Sequence, residues 1–271
     1  MVIDIHTHAF PDRICARTIQ ILERNILTHS HKEYKACGDG SVGGLAASGK
    51  AAGIDVSVIM PIATSPKQTE KINAFAAENC RREGILSFGS LYPFDEDYER
   101  TLENIKELDL PGIKLHPEYQ GFFVDCPEIR RIVKKCEELG LLVMLHSGDD
   151  HGAPPPIHCT PERLANLLGY VSGSNIIAAH MGGWNIWDDV ERYIIGKPIY
   201  IDTSFSLHLL DGERAARMIR NHGVRRVLEG SDWPWYSQAQ SLAMVRALPL
   251  DEEEKALICG GNSARILGLE K

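Results

Sequence analysis

The feature that most constrains this chain is the regular return of a short apolar segment followed by an amphipathic one. The segments are 2–8 (VIDIHTH), 54–62 (IDVSVIMPI), 85–92 (ILSFGSLY), 112–116 (GIKLH), 141–146 (LLVMLH), 175–180 (NIIAAH), 198–204 (PIYIDTS) and 226–232 (RVLEGSD). They are rich in Ile, Val and Leu without clean polar alternation, as expected of parallel strands covered on their outer faces by helices. Eight such units in 271 residues predict an α/β fold, a closed (β/α)8 barrel, which needs about 250 residues. An open doubly wound sheet is the runner-up. No Gly-x-Gly-x-x-Gly follows the first segment, so a dinucleotide site has no support there.

Helix signals fill the gaps between segments. Ser65 stands before Pro66 as an N-cap, and Ile72, Phe75 and Ala76 follow on one face toward Gly84. Tyr98, Leu102 and Ile105 form another apolar face, as do Ile129, Ile132, Val133, Cys136 and Leu139 before Gly140. Thr160 with Pro161 opens a further helix, residues 211–222 form one more, and 252–268 close the chain with one or two. The long connection at about residues 9–53 holds a helix near 11–25 and a Gly-rich stretch. It reads as an insertion over the barrel mouth within a single domain spanning 1–271.

Composition excludes several classes. A hydrophobic fraction of 44% with 24% charged residues belongs to a globular chain. The net charge of −8, with no basic run, argues against a nucleic-acid partner. The longest apolar run, Leu141 to Leu145, is far shorter than the roughly 20 residues of a membrane helix, so no membrane partner is expected. Seven cysteines without a Cys-x-x-Cys pair argue against a cysteine-built zinc site. With no signal-like segment after Met1, they place the chain in a reducing cytoplasm.

The 11 histidines are unevenly spread. His6 and His8 end the first segment, His116 the fourth, His146 the fifth, His180 the sixth, and Asp232 the eighth. Active sites of such barrels lie where strands end. Residues two apart on a strand share a face, so His6 and His8 point together. One strand-end histidine is commonly structural. Four or more at one rim with an aspartate indicate a metal site, because neutral imidazole nitrogen and carboxylate oxygen suit zinc and its neighbours.

The motifs Asp4-Ile5-His6-Thr7-His8, Gly112-Ile113-Lys114-Leu115-His116-Pro117, Leu145-His146-Ser147-Gly148, Ala179-His180-Met181-Gly182-Gly183 and Gly230-Ser231-Asp232-Trp233-Pro234 resemble the amidohydrolase superfamily. The likeness is to the branch that includes aminocarboxymuconate-semialdehyde decarboxylase; the Asn262-Ser263-Ala264-Arg265-Ile266-Leu267 tail shares it. The resemblance implies that His6, His8, His146 and Asp232 hold a divalent ion, usually zinc, one ion being favoured over two. It makes Asp232 and His180 the catalytic acid/base groups. His180, His116, Lys114 and Tyr119 are further candidates for a second ion or for substrate. Members with two ions bridge them through a fourth-strand carboxylate, often a carboxylated lysine, and Lys114 stands on that strand. An internal ion pair of Lys114, with Asp4 as partner, is the competing expectation.

The chemistry implied is a metal-activated water attacking an amide, lactone or ester bond of a small molecule. The alternative is non-oxidative decarboxylation of an unsaturated or aromatic acid, and an inert binding protein on the same barrel is a third reading. A decarboxylase wants a cation for its substrate; Arg13, Arg17 and Arg24 stand after the first strand, where a solvated helix face is the expected use. Trp184, Trp187, Trp233 and Trp235 are read as pocket wall or barrel cover, and His151, His158 and His208 as loop residues near the mouth. Glu118 is read as a loop carboxylate, and His29, His31 and His222 as surface residues. A homodimer is slightly preferred as the assembly.

Overall fold

The computed structural model describes residues 1–80 and 82–270. All eight apolar segments become parallel strands: β1 (Ile3–Thr7), β2 (Val56–Ile59), β3 (Ile85–Ser87), β4 (Gly112–Leu115), β5 (Leu142–Leu145), β6 (Ile176–Ala178), β7 (Tyr200–Asp202) and β8 (Val227–Leu228). They are shorter than the sequence suggests because their last residues bend away to build the rim. The ladders form one arc of β1-β2-β3 and one of β4 through β8. A few backbone hydrogen bonds at each seam join the arcs into a ring. Gly89 N donates to Gly112 O at 2.8 Å and Lys114 N to Gly89 O at 2.9 Å; opposite, Ile5 N donates to Glu229 O at 3.0 Å and Asp232 N to His6 O at 2.8 Å. The sheet is therefore closed as a barrel, and the open alternative falls.

Ile3, Ile5, Val58, Phe88, Met144, Ile177 and Leu228 fill the barrel's interior as one buried cluster. Branched and bulky side chains from most of the strands meet there, so the barrel is a packed core rather than a pore. A second, larger cluster lies between the outer strand faces and the helices.

The helices that follow the strands are α1 (Asp12–Ser30), α2 (Val42–Ala52), α3 (Pro66–Asn79), α4 (Tyr98–Glu107), the single turn α5 (Pro117–Gln120), α6 (Pro127–Leu139), α7 (Pro161–Leu167), α8 (Trp187–Tyr193), α9 (Gly212–His222), α10 (Gln238–Ala247), α11 (Glu252–Ala256) and α12 (Asn262–Ile266). Their ends follow local chemistry. Thr160 accepts from Arg163 N at 3.3 Å, and Gly140 ends α6 in the left-handed conformation. Ser65 precedes Pro66 without a side-chain cap bond. Periodicity misses α2, α8 and α10: α2 has two glycines near its start, α8 is short, and α10 has only a weak apolar face. Of the stretch read as a mouth insertion, α2 packs on β2 and α10 within the helical ring, and α1 is the helix that reaches over the mouth.

One irregularity positions the site. Ile3 and Ile5 point into the barrel, so strict alternation would put His6 and His8 on the outer face. β1 pairs Asp4 with Ser57 but Thr7 with Ile59, which puts one extra residue on β1. This bulge restores both histidines to the interior while Asp4 stays outside, bonded to Ser231 Oγ and Gln238 Nε2.

Candidate metal centre

His6 and His8 are each held from behind. His6 Nδ1 lies 2.8 Å from Asp202 Oδ2, and His8 Nδ1 lies 3.0 Å from Met60 O. These acceptors keep the proton on Nδ1, so each Nε2 presents its lone pair inward. Both nitrogens converge on Asp232 Oδ1, His8 Nε2 at 3.1 Å and His6 Nε2 at 3.5 Å. Burial drives the His6 imidazole down to about 3, with the neighbouring Lys114 adding to the effect, and so keeps the ring neutral. Burial alone would raise Asp232, but the His8 hydrogen bond and the nearby His6 and His180 hold it down at about 2. Two neutral imidazoles and an ionised carboxylate, with donor atoms within 4.8 Å of one another, are a chemically suitable set for a divalent ion.

Asp202 is the residue that sequence reading passed over. It ends β7, fully buried, and accepts from His180 N and Ser204 N, each at 3.0 Å, as well as facing His6. Its signal was visible as a carboxylate at the end of the seventh apolar segment. Ser204, also unremarked, lies with its Oγ 2.9 Å from His180 Nδ1 and 3.1 Å from His6 Nδ1. One carboxylate and one hydroxyl thus orient rings from two different strands.

His146 does not join the first three donors. Its Nδ1 lies 3.1 Å from His180 Nε2, and its ring stacks on His116 at 4.1 Å between centroids. A second cluster of potential donors results, His116, His146 and Asp150. Asp150, from the loop after β5, comes within 3.2 Å of His116 Nε2. Tyr119 stacks on the other face of His116 at 4.1 Å. Burial pushes His116 and His146 well below the usual imidazole range and Tyr119 well above the phenol range.

Lys114 is wholly buried, with Nζ 3.0 Å from His6 Nε2. The expected pairing with Asp4 is not formed, because Asp4 lies on the outer side of β1 and is occupied by Ser231 and Gln238. Burial lowers the Lys114 amine to about 8 against the pull of Asp202 and Asp232. Glu118 sits in the turn α5, its Oε2 3.7 Å from His116 Nδ1, and burial raises it to about 7. His222 is not on the surface: it is fully buried, with Nε2 2.8 Å from Ile199 O, tying α9 to the barrel away from the site.

His180 and Asp232 share a further property: their φ values are +61° and +69°, in the left-handed region. Such backbone costs about 1–3 kcal/mol for a residue other than glycine and is concentrated at functional sites. Gly148, at φ +92°, brings the loop after β5 against the segment after β6, and a Cβ there would sit 2.1 Å from Trp184 N.

Above these groups opens a cavity of about 280 Å³, with His8, His116, His146, His180, Asp232 and Asp150 among its lining. Trp184 and Trp235 form part of its wall; Trp187 and Trp233 are buried elsewhere and serve as cover.

Residues 3–269 match the family described as Amidohydrolase (Amidohydro_2). The chain belongs to the amidohydrolase family. A search of curated proteins finds no match. Among solved structures, this amidohydrolase is similar to 5-carboxyvanillate decarboxylase LigW from Sphingomonas paucimobilis, with 16% identity, TM-score 0.73 and 98% of each chain covered. It is also similar to a dihydroxybenzoic acid decarboxylase from Polaromonas sp. with bound manganese and the inhibitor 2-nitroresorcinol, with 15% identity, TM-score 0.69, and 100% of this chain and 97% of that one covered. A third is a probable 2-pyrone-4,6-dicarboxylic acid hydrolase from Acinetobacter baumannii with citric acid bound, with 16% identity, TM-score 0.65, and 98% and 99% covered. At these identities the likeness is one of fold, and it agrees with the closed barrel.

Proposed function

We propose that this amidohydrolase is a metal-dependent enzyme that removes a carboxyl group, without oxidation, from a small aromatic or unsaturated acid. The observation that carries this reading is the polarity of the cavity: its ionisable groups gather at the floor and along the Asp149–Asp150 wall, and the remaining wall is largely apolar. A substrate would meet it with its acid end down and its ring against hydrocarbon. Decarboxylases among the fold neighbours, three of their structures holding manganese, favour this reading over hydrolysis and put manganese beside zinc as the ion.

The ion would be held by His6 Nε2, His8 Nε2 and Asp232 Oδ1. When bound there, it would supply Lewis-acid polarisation of the substrate's oxygens. The chain's own residues do the rest. Asp202 and Met60 O keep the two imidazoles in the tautomer that turns the Nε2 lone pair inward, where His6 Nε2 also meets Lys114 Nζ at 3.0 Å. The proton that replaces the carboxyl group must come from the floor, where His180 Nε2 and His146 Nδ1, 3.1 Å apart, can hold one between them. The apolar wall keeps water from the carbon that gains it.

Hydrolysis of an ester, lactone or amide is the second reading. Its specific support is Lys114 Nζ beside His6 Nε2 and, close by, the His146–His180 nitrogen pair, an arrangement with donors for a second ion. The test is to load the purified protein with manganese or zinc, count ions by elemental analysis, and present hydroxybenzoic acids and lactones. One ion per chain with carbon dioxide release is expected. Two ions with ring opening and no carbon dioxide would overturn the decarboxylase reading in favour of hydrolysis. All seven cysteines are free. Among the described residues no helix is long and apolar enough to cross a membrane.

A further inference from the structure

The first connection carries three arginines, and the structure turns all of them away from the mouth. Arg13, Arg17 and Arg24 are exposed on α1. The face that meets the cavity is Thr18, Leu22 and Ile26, spaced four residues apart and therefore aligned on one side of the helix. Met60, Ile62 and Phe205 add apolar wall from other elements. Among the described residues that line the cavity there is no lysine or arginine. Lys32, exposed and within 3.5 Å of His151 Nε2, lines an adjoining groove that shares Asp149, Asp150 and His151 with the cavity but does not line the cavity itself, and Lys114 is fully buried beneath, occupied by His6. The carboxyl groups of Asp149 and Asp150 stand on the wall.

A ligand can therefore neutralise one anionic group only, at the floor. A second carboxylate would leave water for hydrocarbon or for the neighbourhood of two aspartates, with no cation to meet it. Stripping an ion of water without a partner costs several kcal/mol even after relaxation. At about 280 Å³ the cavity also lies at the small end of ligand sites, about 300–1,000 Å³.

We propose that the cavity selects compact single-ring acids with one anionic group and an apolar remainder, and that the Thr18–Leu22–Ile26 face of α1 is the specificity-determining surface. The proposal rests on the reading of the floor as the carboxylate-binding end of a metal-dependent decarboxylase. It gives α1 a task that a mere cover over the mouth would not have: excluding doubly charged acids by offering them no counter-ion.

The test compares two acids of nearly equal shape on manganese-loaded protein, 2-hydroxy-3-methylbenzoate and 2-hydroxyisophthalate, in which a methyl group is replaced by a second carboxylate. Binding is read by tryptophan fluorescence or calorimetry, independently of turnover. The wild type should bind the methyl acid at least about 50-fold more tightly. Leu22→Arg should narrow that ratio at least about tenfold by tightening the diacid and weakening the methyl acid. If Leu22→Arg does not fold by circular dichroism, Ile26→Lys, one turn further along the same face, is read in the same way. Wild-type binding of both acids within about threefold overturns the proposal, as does an unchanged ratio in a folded cationic variant. Carbon dioxide release is measured separately. Its absence with the binding ratio intact fails the decarboxylase reading alone, whereas equal binding fails the selection whatever the gas measurement gives.

Discussion

The barrel rim carries two groups of the same composition, each with two histidines and an aspartate, and their surroundings differ. In the group of His6, His8 and Asp232, each imidazole has a fixed acceptor behind it and an inward nitrogen in front, and the aspartate is held ionised. In the group of His116, His146 and Asp150, the two rings stack face to face, and His116 Nδ1 is buried without a hydrogen-bond partner among the described residues. The nearby Glu118 keeps its proton up to about 7. Donor identity is the same in both groups, so on the proposed reading the choice between them rests on how the rings are held. The contrast lies in His116: His146 is held at both nitrogens, by His180 Nε2 at 3.1 Å and Asp149 O at 3.2 Å, whereas His116 lacks the anchored second nitrogen that spares a ring reordering when an ion arrives.

The largest expected break of this contrast is Asp232→Asn, which keeps shape and removes charge. Metal content should fall below about a tenth of an ion per chain and activity by roughly 10³-fold, measured by elemental analysis and carbon dioxide release. Retention of both would place the ion elsewhere.

The next effect is a dependence of stability on pH from the second group. Folded protein keeps the Glu118 proton to about 7, while the unfolded chain releases it near the ordinary value of 4.5. Between those values the folded state binds more protons, so stability from this residue is intact below about 4.5 and is lost as pH rises through about 7. The total is about 3 kcal/mol. Urea denaturation of wild type and Glu118→Gln at pH 4.5 and 8 should show the wild type losing about that much more; parallel losses would mean that Glu118 is ionised in the fold.

Asp202→Asn comes third. It leaves the donors of the first group in place but exchanges the acceptor behind His6 for an amide. Metal affinity should weaken about 10- to 100-fold, with the circular dichroism spectrum unchanged. An unaltered dissociation constant would show that anchoring from behind is not what distinguishes the groups. The smallest effect belongs to Asp150→Asn, for which metal content should stay within about twofold of wild type. Loss of the ion in that variant would promote the second group to a metal centre.

Much of the fold was legible because parallel strands buried on both sides cannot hide their apolar runs. The eight segments, the proline starts of α3, α6 and α7, and the glycine after α6 are local signals, readable without knowing what packs where. Helices α2, α8 and α10 lacked them, since Gly43 and Gly44 lower the apparent propensity of α2, α8 has only seven residues, and α10 has a weak apolar face. At the site, the strand-end histidines and Asp232 stood out by type and position. Asp202 did not, because an aspartate at one strand end looks the same whether it faces solvent or a histidine from another strand. His222 was misread for the opposite reason: its helix position suggested the surface, and only packing against Ile199 shows it buried.

The sequence by itself determined that eight strands would deliver histidines and an aspartate to one rim, since strand order and strand ends are written along the chain. Only the tertiary structure decided how that rim divides. The extra residue in β1 turns His6 and His8 inward, and ring closure places Asp232 beside them. Lys114 faces His6 instead of Asp4, and the arginines of α1 point away from the mouth. Each of these depends on residues far apart in sequence meeting at distances of a few ångströms, and periodicity carries no information about which face of one element meets which face of another.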